Sequence, residues 1–229
     1  MKILAIESSA KAASAAITEN GRLIAQYMQK SALTHSRTLL SMAEHMLTDL
    51  DMTIEDIDVI AVARGPGSFT GIRIGVAAAK GLAWGADKPV CGISTLEAMA
   101  HHLYDRDGII CPVMDARRNQ VYNALFEGGT LKRLSPDRAI SLAELIEEAK
   151  KVKKPYFLVG DGAELCYNTM SEAGIDVRLA PEPLLFQSAW GVAAAAEGKP
   201  AVSPDELSPE YLRLSQAERE RLEREKNAK

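Results

Sequence analysis

The chain has too little cysteine to be held together by disulfides. Cys91, Cys111 and Cys166 are odd in number, lie in apolar surroundings and form no C-x-x-C pair. They read as reduced core residues of a cytosolic protein. An excess of positive charge is also missing, since the formal net charge is −4 and the pI about 5.7. That argues against binding nucleic acid by general electrostatics alone, and leaves any RNA contact to a local basic patch or a basic partner. Long apolar runs are absent too. "MKILAIESSA" reaches Glu7 too early for a signal peptide, and Arg73 and Lys80 interrupt "GIRIGVAAAKGLAWGA", so neither stretch reads as a leader or a membrane span. With 47% hydrophobic and 25% charged residues, the expectation is a soluble globular chain of one large or two small domains.

The common phosphate signatures are missing as well. In "ARGPGSFTGIRIG" (Ala63–Gly75) a glycine-rich bend follows the β-type run "DVIAV" and precedes a helix of small residues. Counting from Gly65 or Gly67 finds no Gly-Lys-Ser/Thr, and Thr70 stands where G-x-G-x-x-G needs its third glycine. What remains is a helix N-terminus, a generic anion site by its free N–H groups and dipole. The competing reading is a tight turn at Gly65-Pro66-Gly67 with Ser68 or Thr70 as helix cap. We take the stretch chiefly as a turn that launches a helix, with anion binding a secondary use.

What is present is a pattern that occurs twice. "KILAIE" (Lys2–Glu7) reads as a strand, and two alternating runs follow, joined at the hairpin signal Asn20-Gly21. A helix over 35–50 carries Leu39, Leu40, Ala43, Met46, Leu47 and Leu50 on one face. Strand, glycine bend, helix and strand then alternate to "STLEAMAHHLY". From Ile109 the scheme restarts: an apolar strand ends in Asp115, a second strand turns at Gly128-Gly129 into a third, and "PYFLVGDGAELCYNTM" repeats strand, glycine turn and helix. Asp115 precedes Gly128 by the same interval that separates Glu7 from Asn20. Two such α/β lobes are a duplicated fold, with expected boundaries 1–104 and 105–215 and a charged tail, 216–229, read as an exposed, fraying helix. The outline is that of the actin/sugar-kinase/Hsp70 fold, two ribonuclease-H-like lobes facing a nucleotide cleft. Glu7 and Asp115 stand where that fold places its strand-end acids.

"ILAIESS", "HSRTLL", "ARGPGSFTGIRIGVAAAKGLA", "STLEAMA", "DARRNQVY", "LVGDGA" and "SPEYLR" occur in the order and at about the spacing of the TsaB (YeaZ) family, which the chain resembles to about Arg213. The resemblance implies an accessory subunit for threonylcarbamoyladenosine, the modification at position 37 of tRNAs that read codons starting with A. It also implies the partner TsaD, a catalytic paralogue with an H-x-E-G-H metal motif, TsaE in a larger complex, and a homodimer when TsaD is absent. tRNA would then be met only through the complex, in the cytoplasm. In this chain Thr95 and Met99 take the two histidine places and Glu97 is kept. Two imidazoles at i, i+4 can grip a transition metal; Thr and Met cannot replace them. No catalytic residue, metal site or required cofactor is therefore expected.

Ser8, Ser9 and Ser68 form no nucleophile elbow, and "THS" before an apolar helix reads as a helix start with Thr34 or Ser36 as cap. The possible nucleotide or anion cleft comprises Glu7, Ser8, Gly65, Gly67, Ser68, Asp115, Arg117 and Arg118, with at most weak ATP or ADP binding. The glycines and alanines of 71–85 suggest a helix approached closely by another backbone. Its stripe Ile72, Gly75, Val76, Ala79 and Leu82, with Leu39, Leu40, Met42, Ala43, Met46, Leu47 and Leu50 of the preceding helix, is the expected partner interface, half of a four-helix bundle. The rival reading is a small ATP-dependent enzyme of the sugar-kinase type, with Glu7 and Asp115 holding Mg²⁺.

Overall fold

A computed structural model describes residues 1–31 and 34–213; the charged tail lies outside the described residues. β1 (Lys2–Glu7), β2 (Ala13–Glu19) and β3 (Arg22–Gln29) form the first meander. It turns at Asn20 and Gly21, whose φ angles of 50° and 76° suit the right-handed twist of the flanking strands. α1 (His35–Asp49), β4 (Val59–Gly65), α2 (Phe69–Gly85), β5 (Val90–Ser94) and α3 (Thr95–Ala100) complete the first half. The sheet order is β3-β2-β1-β4-β5, antiparallel in the meander and parallel from β1 to β5.

The second half repeats this with β6 (Ile109–Asp115), β7 (Gln120–Asn123), β8 (Phe126–Glu127), β9 (Arg138–Ser141), α4 (Leu142–Ala149), β10 (Tyr156–Val159), α5 (Ala163–Glu172) and β11 (Val177–Leu179). The order β11-β10-β6-β7-β9 places β6 where β1 stands. The turn at Gly128-Gly129 does separate second and third strands, but each is broken. β7 and β8 run along β6 with a gap at Ala124 and Leu125, and Arg133 bridges Phe126 before β9 pairs with β7. The architecture is two ribonuclease-H-like lobes, the actin/sugar-kinase/Hsp70 arrangement.

β1 reads as an unbroken apolar run because both faces of the first sheet are covered. Leu4, Ile6, Ile60 and Val62 pack beneath α1 and α2, while Ile3, Ala5, Ala61 and Ile93 pack under a different helix. That helix comes from the far end of the chain. After α6 (Glu182–Leu185), α7 (Ala189–Ala196) lies on β1, β2, β4 and β5, and Val202 pairs with Val90 at the sheet edge. The predicted division at 104/105 is thus corrected: from Ala189 to at least Leu207 the chain belongs to the first lobe's core. Nothing local in "AWGVAAAA" announces this, since a helix apolar all round states only that it is buried.

Candidate functional site

The glycine bend after β4 is built around its own chain. Gly65 and Gly67 have φ of 127° and 156°, backbone that L side chains rarely adopt. A Cβ on Gly65 would fall on the carbonyl oxygen of Glu210, and one on Gly67 would lie 2.5 Å from that of Ser9. Ser68 caps α2, its Oγ accepting from Gly71 N at 3.2 Å. Ser68 N donates to Ser9 O at 2.7 Å and Ile72 N to Ser68 O at 2.9 Å. Three amides near the start of α2 are thereby used internally, which fits a turn that launches a helix.

α2 then lies directly on the bend that follows β1. A Cβ on Gly71 would fall on the Ser8 carbonyl oxygen, and one on Gly75 would stand 2.5 Å from Ser8 Oγ and 3.4 Å from a Val62 methyl. What approaches Gly75 is therefore the chain's own Ser8 and Val62 side chains, while the Ser8 backbone approaches Gly71. This corrects the predicted interface: Ile72, Gly75, Val76 and Ala79, with Leu39, Met42, Ala43 and Met46 of α1, are buried in the first lobe. Leu47, Leu50 and Leu82 are half-buried, and Leu40 is 45% exposed. Periodicity had identified a stripe correctly but not the side on which its sheet lies. The outward row of α2 consists instead of Ile74, Ala77, Ala78, Gly81 and Trp84, with Trp84 57% exposed.

Between the lobes lies a cavity of about 570 Å³. Of the predicted cleft residues, Gly67, Ser68, Asp115 and Arg117 line it; Glu7, Ser8, Gly65 and Arg118 do not. Glu7 is completely buried at the end of β1. Its Oε1 accepts from Ser9 N at 2.5 Å, and its Oε2 has no partner among the described residues. Burial pushes its carboxyl up to about 7, because a charge there would be desolvated. Asp115 is exposed, and its Oδ1 takes the Arg117 amide at 2.7 Å. Arg117, Arg118 and Asn119 all have φ near 60° (62°, 56° and 57°), and this tight loop sends Arg117 towards the cavity while Arg118 stays outside it.

The cavity gains residues that sequence reasoning missed. Asp161, in the "GDG" after β10, faces it; its carboxyl is raised, chiefly by burial, while an accepted hydrogen bond from Gln187 Nε2 (3.2 Å) opposes the shift. The repeat signalled this position, as the second lobe's counterpart of the first glycine bend. Lys11 and Tyr122 also line it, and so does the segment 210–213. That segment is tied to both lobes. Tyr211 stacks on Phe69 with ring centroids 4.6 Å apart, Arg73 Nε donates to its hydroxyl at 2.8 Å, Glu210 N donates to Arg64 O at 2.7 Å, and Arg213 Nη1 donates to Ala116 O at 2.6 Å. Of the hydroxyls that line the cavity, Ser68 takes the Gly71 amide and Tyr211 takes Arg73 Nε, while Ser9 follows the buried Glu7 and gives it its amide. The arrangement offers mixed charge, with Lys11, Arg117 and Arg213 beside Asp115, Asp161 and Glu210.

Thr95 and Met99 are fully buried. Met99 packs in the second lobe's core, and its sulfur would lie 2.9 Å from a Cβ on Gly160. Glu97 turns outward to Lys199 at 2.6 Å and Arg133 at 3.4 Å. His35 donates its Nε2–H to Ala10 O at 2.7 Å, and Thr34 stands at the N-cap position of α1 without a capping hydrogen bond from its side chain.

The family profile described as TsaD, tRNA N6-adenosine threonylcarbamoyltransferase, matches residues 27–219. The chain is 34% identical to the Bacillus subtilis tRNA threonylcarbamoyladenosine biosynthesis protein TsaB, over 99% of this chain and all of the relative. It is 32% identical to the Escherichia coli protein of the same name, over 93% of this chain and 95% of that one. Among solved structures, YeaZ from Pseudomonas aeruginosa superposes with a TM-score of 0.73 at 24% identity, covering 92% of this chain and 99% of that one.

Proposed function

Because the chain belongs to the TsaB family of tRNA threonylcarbamoyladenosine biosynthesis proteins, we propose that it is the non-catalytic subunit that binds and activates TsaD. In that role it supports threonylcarbamoylation of adenosine 37 in tRNAs reading codons that start with A. The observation that carries this reading is the burial of Thr95 and Met99. The positions that would present imidazoles to a metal point into a packed core, and neither side chain is an imidazole. The chain meets tRNA through TsaD, joins TsaE in a larger assembly, pairs with a second copy when TsaD is absent, and works in the cytoplasm. Among the described residues no helix is long and apolar enough to cross a membrane.

The surface we assign to TsaD is the outward side of α2 with the exposed edge of α1. Ile74, Ala77, Ala78 and Gly81 are small or only half-covered, so a partner helix can come close, and Leu40 and Trp84 flank them. Mixing the chain with TsaD and separating the mixture by size-exclusion chromatography tests the reading. Co-elution, with threonylcarbamoylation by TsaD stimulated on addition, is the expected result. Separate elution with TsaD equally active alone would overturn it.

One observation favours the rival, a small ATP-dependent enzyme: Asp115 and Asp161 share one cavity. Against it, Glu7 is sealed from that cavity, and the 210–213 segment is tied across the glycine bend where phosphates would sit. Calorimetric titration with ATP and magnesium should give little heat; sub-micromolar affinity would favour the enzyme.

A further inference from the structure

Among the described residues the two sheets end in four edge strands, β3, β5, β9 and β11, of which three are short or covered. β11 has three residues and β9 four, while β5 is crossed by the returning chain, with Val90 and Val202 exchanging backbone hydrogen bonds of 2.9 and 2.8 Å. β3 differs. It has eight residues, contains no proline, carries no charge from Leu23 to Gln29, and exposes Leu23 (47%), Ile24 (45%) and Met28 (40%). Long apolar edges of this kind are what proteins ordinarily blunt.

Beside this edge runs a groove of about 620 Å³, bounded by Gln26–Gln29 of β3 and by Arg37, Ser41 and His45 of α1. These three α1 residues recur at intervals of four and so share one helix face. Among the described residues no acid lines the groove itself, and the nearby Asp49 is taken up by the hydroxyl of Tyr27. Arg22 and Lys30, both exposed, stand at the two ends of the strand.

We infer that the groove between β3 and α1 receives an extended peptide segment of another chain, added to the sheet as a sixth strand and carrying carboxylates at its ends. Edge-strand addition between a strand and a helix draws affinity from main-chain hydrogen bonds and specificity from the side chains flanking them. Here Arg37, Arg22 and Lys30 supply the charge preference. The same charges disfavour a second copy: antiparallel self-pairing centred on Gln26 sets Arg22 opposite the other copy's Lys30, and like charges directly opposed are destabilising. Arg37 adjoins Leu40 at i, i+3 on α1, while Ser41 and His45 turn away from it, so the groove borders the TsaD surface and the peptide test is made on the chain alone.

The test uses the full chain and three fluorescein-labelled octapeptides alternating Thr and Val, read by fluorescence polarisation. One ends in Asp and Glu, one ends in Lys at both ends, and one is the acidic peptide methylated at the backbone nitrogens of its pairing edge. The acidic peptide should bind, the lysine twin about tenfold more weakly, and the methylated peptide not at all. Arg37→Glu should cost the acidic peptide roughly fivefold to tenfold and leave thermal melting in place. Absence of binding at millimolar acidic peptide overturns the inference. So does equal binding of the three peptides. A chain that dimerises in sedimentation and is split by Ile24→Lys would make a second copy the occupant, and would overturn it too.

Discussion

The two lobes share one strand order but spend it differently. In the first, two long helices lie over one face of the sheet, and the strand-end acid, Glu7, is completely buried on the other, where its cross-strand neighbour Ser14 accepts from Ala189 N of α7. In the second, α4 and α5 are short and the matching acid, Asp115, stays in solvent at the cavity. Glu7 alternates with Ile6 and Ser8 along β1 and so lies on the sheet face that α7 covers, opposite α2, whereas the loop after β6 carries three successive residues at positive φ and leaves Asp115 exposed. Duplication preserved the framework but not what covers its acids.

The sharpest way to break this contrast is to lift α2 off its lobe. Gly75→Leu places side-chain carbon against Ser8 and Val62, and overpacking against such neighbours should cost about 3 kcal/mol or more. At this chain length that is a fall of roughly 6–12 °C in melting temperature. Leu165→Ala on α5, at an exposed position, should stay within about 0.5 kcal/mol of the parent. A normally melting Gly75→Leu protein would show that the helix does not sit as described.

The buried acid offers a second measurement. The folded state holds the Glu7 proton more tightly than the unfolded chain, with the carboxyl raised from an ordinary 4.5 to about 7. The associated stabilisation is full below 4.5 and is lost as pH rises through 7. Glu7→Gln escapes that loss, so denaturation at a series of pH values should show the variant gaining on the parent across this window, by at most ~3 kcal/mol. A constant difference would place Glu7 in water.

Asp115→Ala probes the other copy. It removes the acceptor of the Arg117 amide and should cost about 1 kcal/mol in chemical denaturation; a larger loss would mean that the loop holds the lobe together. The smallest effect on stability is expected at Trp84→Ala, within about 0.5 kcal/mol of the parent. Its effect should appear in calorimetric titration with TsaD, as a roughly tenfold weaker association. Unchanged affinity would move the partner surface away from α2.

How far these features can be read without coordinates follows from what each depends on. The Asn20-Gly21 turn, a hydroxyl cap at Ser68 or Thr70 and the repeated strand order are local or periodic, and all three are legible in the sequence. The direction in which Gly75 points is not local. A stripe of small residues is equally consistent with a partner outside or a sheet inside, and only the position of Ser8 decides. Glu7 and Asp115 look alike as strand-end acids, because burial is a property of what passes over them. Asp161 was overlooked because "GDG" is a weak motif by itself; the repeat was the stronger guide.

The return of α7 to the first sheet has a consequence for how the chain is made. A ribosome delivers β1 to β5 long before it delivers Ala189. Until then the surface formed by Ile3, Ala5, Ala61 and Ile93 has no cover from that helix. The first lobe is thus the earlier to be synthesised but not the earlier to be finished, and domain-by-domain folding during synthesis is closed to it. Nascent chains ending before α7 present an apolar sheet face of the kind chaperones hold, and the contact that closes it spans nearly the whole sequence, a topology that slows folding.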